Sequence, residues 1–93
     1  MRLKPEEVKI IKDAVAVLDP QAKVFLFGSR VDPEKKGGDI DLLILSQVLT
    51  DIDSLKIHKI LFEEMEEQKI DILIAADSQD PFVKLALTKS IKL

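Results

Sequence analysis

The chain has 93 residues, 46% hydrophobic and 33% charged, with four Phe, no Tyr, no Trp and a formal net charge of −3. That length supports one compact domain, spanning residues 1–93, with a modest core. The acidic balance disfavours broad binding to DNA or RNA, which needs several phosphate-neutralising cations. With no cysteine there is neither a disulfide framework nor a thiolate zinc site.

Residues 1–13, MRLKPEEVKIIKD, lack the apolar run of a signal peptide, and nowhere do about 18 apolar residues follow one another. These features lead to the expectation of a cytoplasmic protein without a membrane segment.

Residues 5–18 read as a helix. Pro5 suits a first helical position, Glu6 and Glu7 complement the amino-terminal dipole, and Val8, Ile11, Val15 and Leu18 form an apolar stripe. Asp19-Pro20 ends it, because the residue before proline is pushed out of helical geometry. KVFLFGS, residues 23–29, is rich in strand formers and closes on glycine. Residues 30–38, RVDPEKKGG, are predicted to be an exposed loop, with Lys35 and Lys36 as solvated charges.

A second strand covers Asp39–Leu45, and its run LLIL implies cover on both faces. Thr50 caps a helix over residues 51–67, with Asp53 at the capping-box position. Its apolar residues are Ile52, Leu55, Leu61 and Met65, flanked by Ile57 and Phe62. Glu63, Glu64, Glu66 and Glu67 crowd its last turns, where the helix dipole favours cations. His58 reads as a surface or half-buried helix residue.

KIDILIA, residues 69–75, is a third strand, and Asp80-Pro81 starts a last helix over residues 81–89. That helix carries Phe82, Val83, Leu85, Ala86 and Leu87, apolar over more than one face. Core packing explains it, and so does a face for a partner or a second copy. The resulting fold class is α/β, a small mixed sheet packed with helices. The helix between strands two and three predicts a parallel crossover, and the shorter link between strands one and two permits an antiparallel pair.

Asp39 and Asp41 bracket Ile40 where a buried strand begins. Residues i and i+2 of a strand share a face, so both carboxylates project together. If strands two and three are parallel neighbours, Asp71 starts its strand at the same end of the sheet. Gly28-Ser29, at the end of strand one, returns to that end as well. Carboxylates about 4 Å apart repel by about 4 kcal/mol per pair at an effective dielectric of about 20. A cation offsets that cost, and oxygen-only ligands suit Mg²⁺ or Mn²⁺, with two ions expected. Gly28 admits close backbone approach to a phosphate, and Ser29 has a hydroxyl and an N–H to offer it.

Together, GSR, GGDIDLLIL and KIDILI resemble the nucleotidyltransferase superfamily typified by DNA polymerase beta, in its minimal nucleotidyltransferase branch. The pattern is a strand, Gly-Ser, about ten residues, Asp-hydrophobic-Asp, and a later acidic residue; here residues 30–38 fill the gap. The resemblance runs from about Val24 to Ala75, and DPFVKLALTKSIKL looks like the family's closing helix.

It implies that Gly28 and Ser29 engage nucleotide phosphate, that Arg30 touches it, and that Asp39 and Asp41 bind metal. Asp71 becomes the third carboxylate and the base for an incoming hydroxyl. The departures are Val31-Asp32-Pro33, where relatives often continue Ala-Arg-Gly, and Gly38, where a serine is common. They bear on the loop's contacts.

The activity so implied is metal-dependent transfer of a nucleoside monophosphate, AMP from ATP, to a hydroxyl of a protein or RNA. The resemblance also implies a helical partner of the HEPN class, with this chain as the antitoxin of a toxin–antitoxin pair. Two other readings stand beside it: a non-catalytic module that neutralises a partner by binding, and a nucleotide-binding regulator without transfer.

Overall fold

The computed structural model of the chain describes residues 3–32, 39–65 and 69–93. Lys35, Lys36, Gly38, Glu66 and Glu67, for which the sequence raised expectations, lie outside the described residues.

Helix α1 (Pro5–Leu18) begins on proline, and the Lys4 N–H donates to Glu7 Oε1 at 2.9 Å, satisfying an amide that the first turn leaves open. It ends at Asp19, as Asp19-Pro20 requires. Strand β1 (Lys23–Phe27) follows, then a 3₁₀ turn (Gly28–Val31) and strand β2 (Ile40–Leu45). Helix α2 (Asp51–Glu64) starts where Thr50 donates its N–H to Asp53 Oδ2 at 2.8 Å. Strand β3 (Ile70–Ala75) and helix α3 (Pro81–Thr88) come next, the latter capped by Asp80 Oδ1 accepting from the Phe82 N–H at 2.7 Å.

A short strand β4 (Ile91–Lys92) closes the chain, and it is absent from the sequence expectation. The 81–89 helix stops after Thr88, and Ser90 turns the chain by donating its hydroxyl to the Leu87 carbonyl at 2.9 Å. Leu93 N–H then donates to the Val24 carbonyl at 2.9 Å, holding this segment on β1. Two residues carry too little alternation to announce a strand.

The sheet order is β3-β2-β1-β4. β2 pairs with β1 antiparallel and with β3 parallel, in agreement with both expectations, and β4 runs antiparallel to β1. Strand parity then sorts the side chains onto two layers. Val24, Leu26, Ile40, Leu42 and Ile44 face α1 and α2, where Ile11, Val15, Ile57 and Leu61 complete the main core. Leu43 faces the other way, against Val83 and Ala86 of α3, with Phe25, Phe27 and Leu73 around it. Both faces of β2 are covered, as LLIL demanded.

Helix α2 departs from the expected stripe. Ile57, Leu61 and Met65 are buried, but Ile52, Leu55 and Phe62 are 68%, 70% and 66% exposed. The helix carries two apolar stripes at helical spacing, and only one can meet the sheet. In α3, Val83 and Ala86 are core, whereas Phe82 and Leu85 face outward. No described helix is long and apolar enough to cross a membrane.

Candidate active site

The three aspartates of the sequence expectation gather at one end of the sheet. Asp41 is the second residue of β2, and Asp39 immediately precedes the strand. In the parallel ladder Asp41 is the register partner of Asp71, so both side chains leave the same face. That face is the one α3 covers farther along the strands.

The electrostatics of this cluster concentrate on Asp41. Its carboxyl is pushed above the usual carboxylate range, first by burial, then by the negative charges of Asp71 and Asp39, and by a hydrogen bond with Asp71. Lys69 pulls the other way. The Lys69 ammonium stands 3.5 Å from Asp39 Oδ2, an ion pair across the mouth of the cluster. Lys69 lies within the KIDILIA run, but nothing in the sequence singled it out. Its part emerges only once the β3 start is set beside Asp39.

Gly28, which follows β1 and opens the 3₁₀ turn, has φ 78° and lies against Asp41. A Cβ there would fall on Asp41 Oδ2 and come 3.1 Å from Asp41 Cγ. Glycine is required twice over, for the left-handed backbone and for the room it leaves the carboxylate. Ser29 and Arg30 continue the same 3₁₀ turn, which puts their backbone at the acidic end. The Ser29 side chain falls outside the described part. Arg30 is half-buried.

Asp39, Asp41 and Asp71 offer oxygen donors only, the set that suits a hard divalent ion. Asp41 is pushed up first by burial and then by the charges of Asp71 and Asp39, with Lys69 acting against them. In donor chemistry the cluster therefore fits Mg²⁺ or Mn²⁺. As the side chains stand, no three His, Cys, Asp or Glu residues among those described are disposed to hold an ion. Asp39 meets Lys69 instead.

A cleft of about 430 Å³ opens at the opposite end of the sheet, lined by Asp19, Lys23, Ser46 and Ala76 among others. Volume and chemistry disagree here. The buried carboxylate in that cleft accepts from the Ser46 hydroxyl at 2.5 Å and from the Gln21 N–H at 2.9 Å. It is a satisfied structural group, so the acidic end is the candidate site.

A family model described as the nucleotidyltransferase domain matches residues 8–93. The chain belongs to that family. The match covers the Gly28 turn, Asp39, Asp41 and Asp71, and supports general nucleotidyl transfer as the activity of the domain. No curated protein matches the chain. The four-strand mixed sheet with three helices is consistent with the nucleotidyltransferase fold.

Proposed function

We propose that this nucleotidyltransferase domain moves a nucleoside monophosphate, AMP from ATP, onto a hydroxyl of a protein or RNA acceptor. The observation that carries the reading is the in-register pair Asp41 and Asp71, with Asp39 beside them and Gly28 cleared to receive the Asp41 carboxylate. Charge gathered this way is costly in a small domain unless a cationic ligand uses it.

In this reading Asp39, Asp41 and Asp71 hold the Mg²⁺ or Mn²⁺ ions. When bound, such ions neutralise the triphosphate and help to activate the attacking hydroxyl. The 28–30 turn positions the distal phosphates: Gly28 keeps the backbone close, Ser29 donates, and Arg30 adds positive charge. The acceptor oxygen forms a bond to the α-phosphorus while the bond to the bridging oxygen breaks. Pyrophosphate leaves, and Asp71, the more exposed acid, takes the hydroxyl proton.

The acceptor proposed is a helical HEPN-type protein, with this domain as the antitoxin of the pair. The exposed apolar residues of α2 and α3 support a protein partner. They also favour a second reading, in which the domain neutralises a partner by binding alone.

The two readings part in one experiment. ATP labelled at the α-phosphate is incubated with the domain, Mg²⁺ and a candidate acceptor, beside a parallel reaction labelled at the γ-phosphate. Transfer predicts α-label on the acceptor, γ-label in pyrophosphate, and loss of both on Asp39→Asn plus Asp41→Asn. Inhibition of the acceptor that survives in the double variant, with no label transferred, would refute transfer and leave binding.

A further inference from the structure

Three carboxylates share one end of the sheet, yet they do not close around a common point, because one of them is engaged elsewhere. Asp39 pairs with Lys69, the residue immediately before β3, at 3.5 Å. We propose that Lys69 is a tethered counter-ion of the site: it holds Asp39 in the metal-free domain and gives it up to the incoming divalent ion. Ammonium and ion thus compete for one carboxylate. This inference rests on reading the three aspartates as a cation site and concerns how that site is regulated.

Placement and exposure carry it. Lys69 immediately precedes β3, its carbonyl accepting from the Ile40 N–H at 3.0 Å, and its flexible four-carbon side chain can swing without disturbing that backbone bond. The two side chains are 71% and 43% exposed, which marks a pair that water and salt weaken readily. A buried bidentate clamp would lock the carboxylate, whereas a loose single contact can be displaced. The lysine charge also reaches Asp41, so it moderates the field of the whole cluster until the ion arrives. The consequence is a raised threshold: the site loads at a higher cation concentration than the aspartates alone would set.

Calorimetric titration of the full 93-residue chain with Mn²⁺ tests this. Lys69→Met is expected to bind Mn²⁺ about two- to fivefold more tightly than the wild type, the range an exposed ion pair supports. Lys69→Arg, which keeps the charge, should stay within about twofold of the wild type. Raising the KCl concentration should shrink the Lys69→Met advantage. Lys56→Met serves as the control for net charge, since that lysine pairs with Asp53 on α2.

Equal or weaker binding by Lys69→Met overturns the proposal, as does equal tightening by Lys56→Met. Should the wild type bind Mn²⁺ and Asp41→Asn lose it while Lys69→Met changes nothing, only the lysine's role falls. Failure of every chain to bind removes the cation site and the proposal with it.

Discussion

Each end of the sheet carries an aspartate with restricted access to water, in opposite circumstances. Asp19, 6% exposed where α1 ends, has both carboxylate oxygens engaged, by the Ser46 hydroxyl and the Gln21 N–H. Ser46 in turn accepts from the N–H groups of Val48 and Leu49 at 3.1 and 3.0 Å. That network ties the end of α1 to the end of β2 and gives each Asp19 carboxylate oxygen a donor. Asp41 is less buried, yet its carboxyl is pushed up, first by the burial it has and then by the negative charges of Asp71 and Asp39 beside it. Burial alone does not distinguish a structural acid from a functional one. What surrounds the carboxylate does.

The widest separation between the two ends should come from removing charge at each. Asp39→Asn plus Asp41→Asn is expected to lower nucleotidyl transfer at least about 100-fold, because ligand loss removes several kcal/mol of charge stabilisation. Urea unfolding of the metal-free double variant should show no loss of stability. Asp19→Ala should do the reverse, costing about 1–3 kcal/mol in urea unfolding as the Ser46 and Gln21 donors lose their acceptor. Transfer per folded molecule should be unchanged. A double variant that unfolds, or an Asp19→Ala chain that folds normally without activity, would break the contrast.

Gly28→Ala sharpens it from a third side. The substituted residue would meet Asp41 Oδ2 while held at φ 78°. Stability should fall by about 1–2 kcal/mol from the backbone strain alone. Mn²⁺ affinity, read by calorimetry, should fall with it as the Asp41 carboxylate is displaced.

The smallest effect is one of pH. Because Asp41 binds its proton more tightly folded than unfolded, its contribution favours the fold at acidic pH. That contribution is lost as pH rises from the ordinary aspartate value through the raised one. The stability of Asp41→Asn relative to the metal-free wild type should therefore increase with pH over that window, in parallel urea titrations. Saturating Mn²⁺ should narrow the difference by stabilising the wild type.

Much of this architecture was legible in the residues themselves. Alternation in DIDLLIL put Asp39 and Asp41 on one face, and the helix before KIDILIA led to the expectation of a parallel crossover, which brings Asp71 beside them. The outward side of α2 was not legible, since Ile52, Leu55 and Phe62 keep helical spacing as faithfully as Ile57 and Leu61. Only docking on the sheet chooses between such stripes. β4 was missed because its pairing comes from the tertiary path after Ser90. Lys69 went unremarked because an ion pair with Asp39 depends on how two flexible side chains meet across neighbouring strands.

The parallel register of β2 and β3 has a consequence for how freely the domain can vary. Asp41 faces Asp71 by virtue of the hydrogen-bond ladder, so their separation is inherited from the strand spacing of about 4.8 Å. A crossover helix of another length or composition leaves that gauge intact. A single residue inserted between Lys69 and Asp71 turns the acid inward, toward Ile57 and Leu61, and brings an isoleucine out in its stead. The domain is thus tolerant of editing in its connections and brittle to a shift of one step along its ladder.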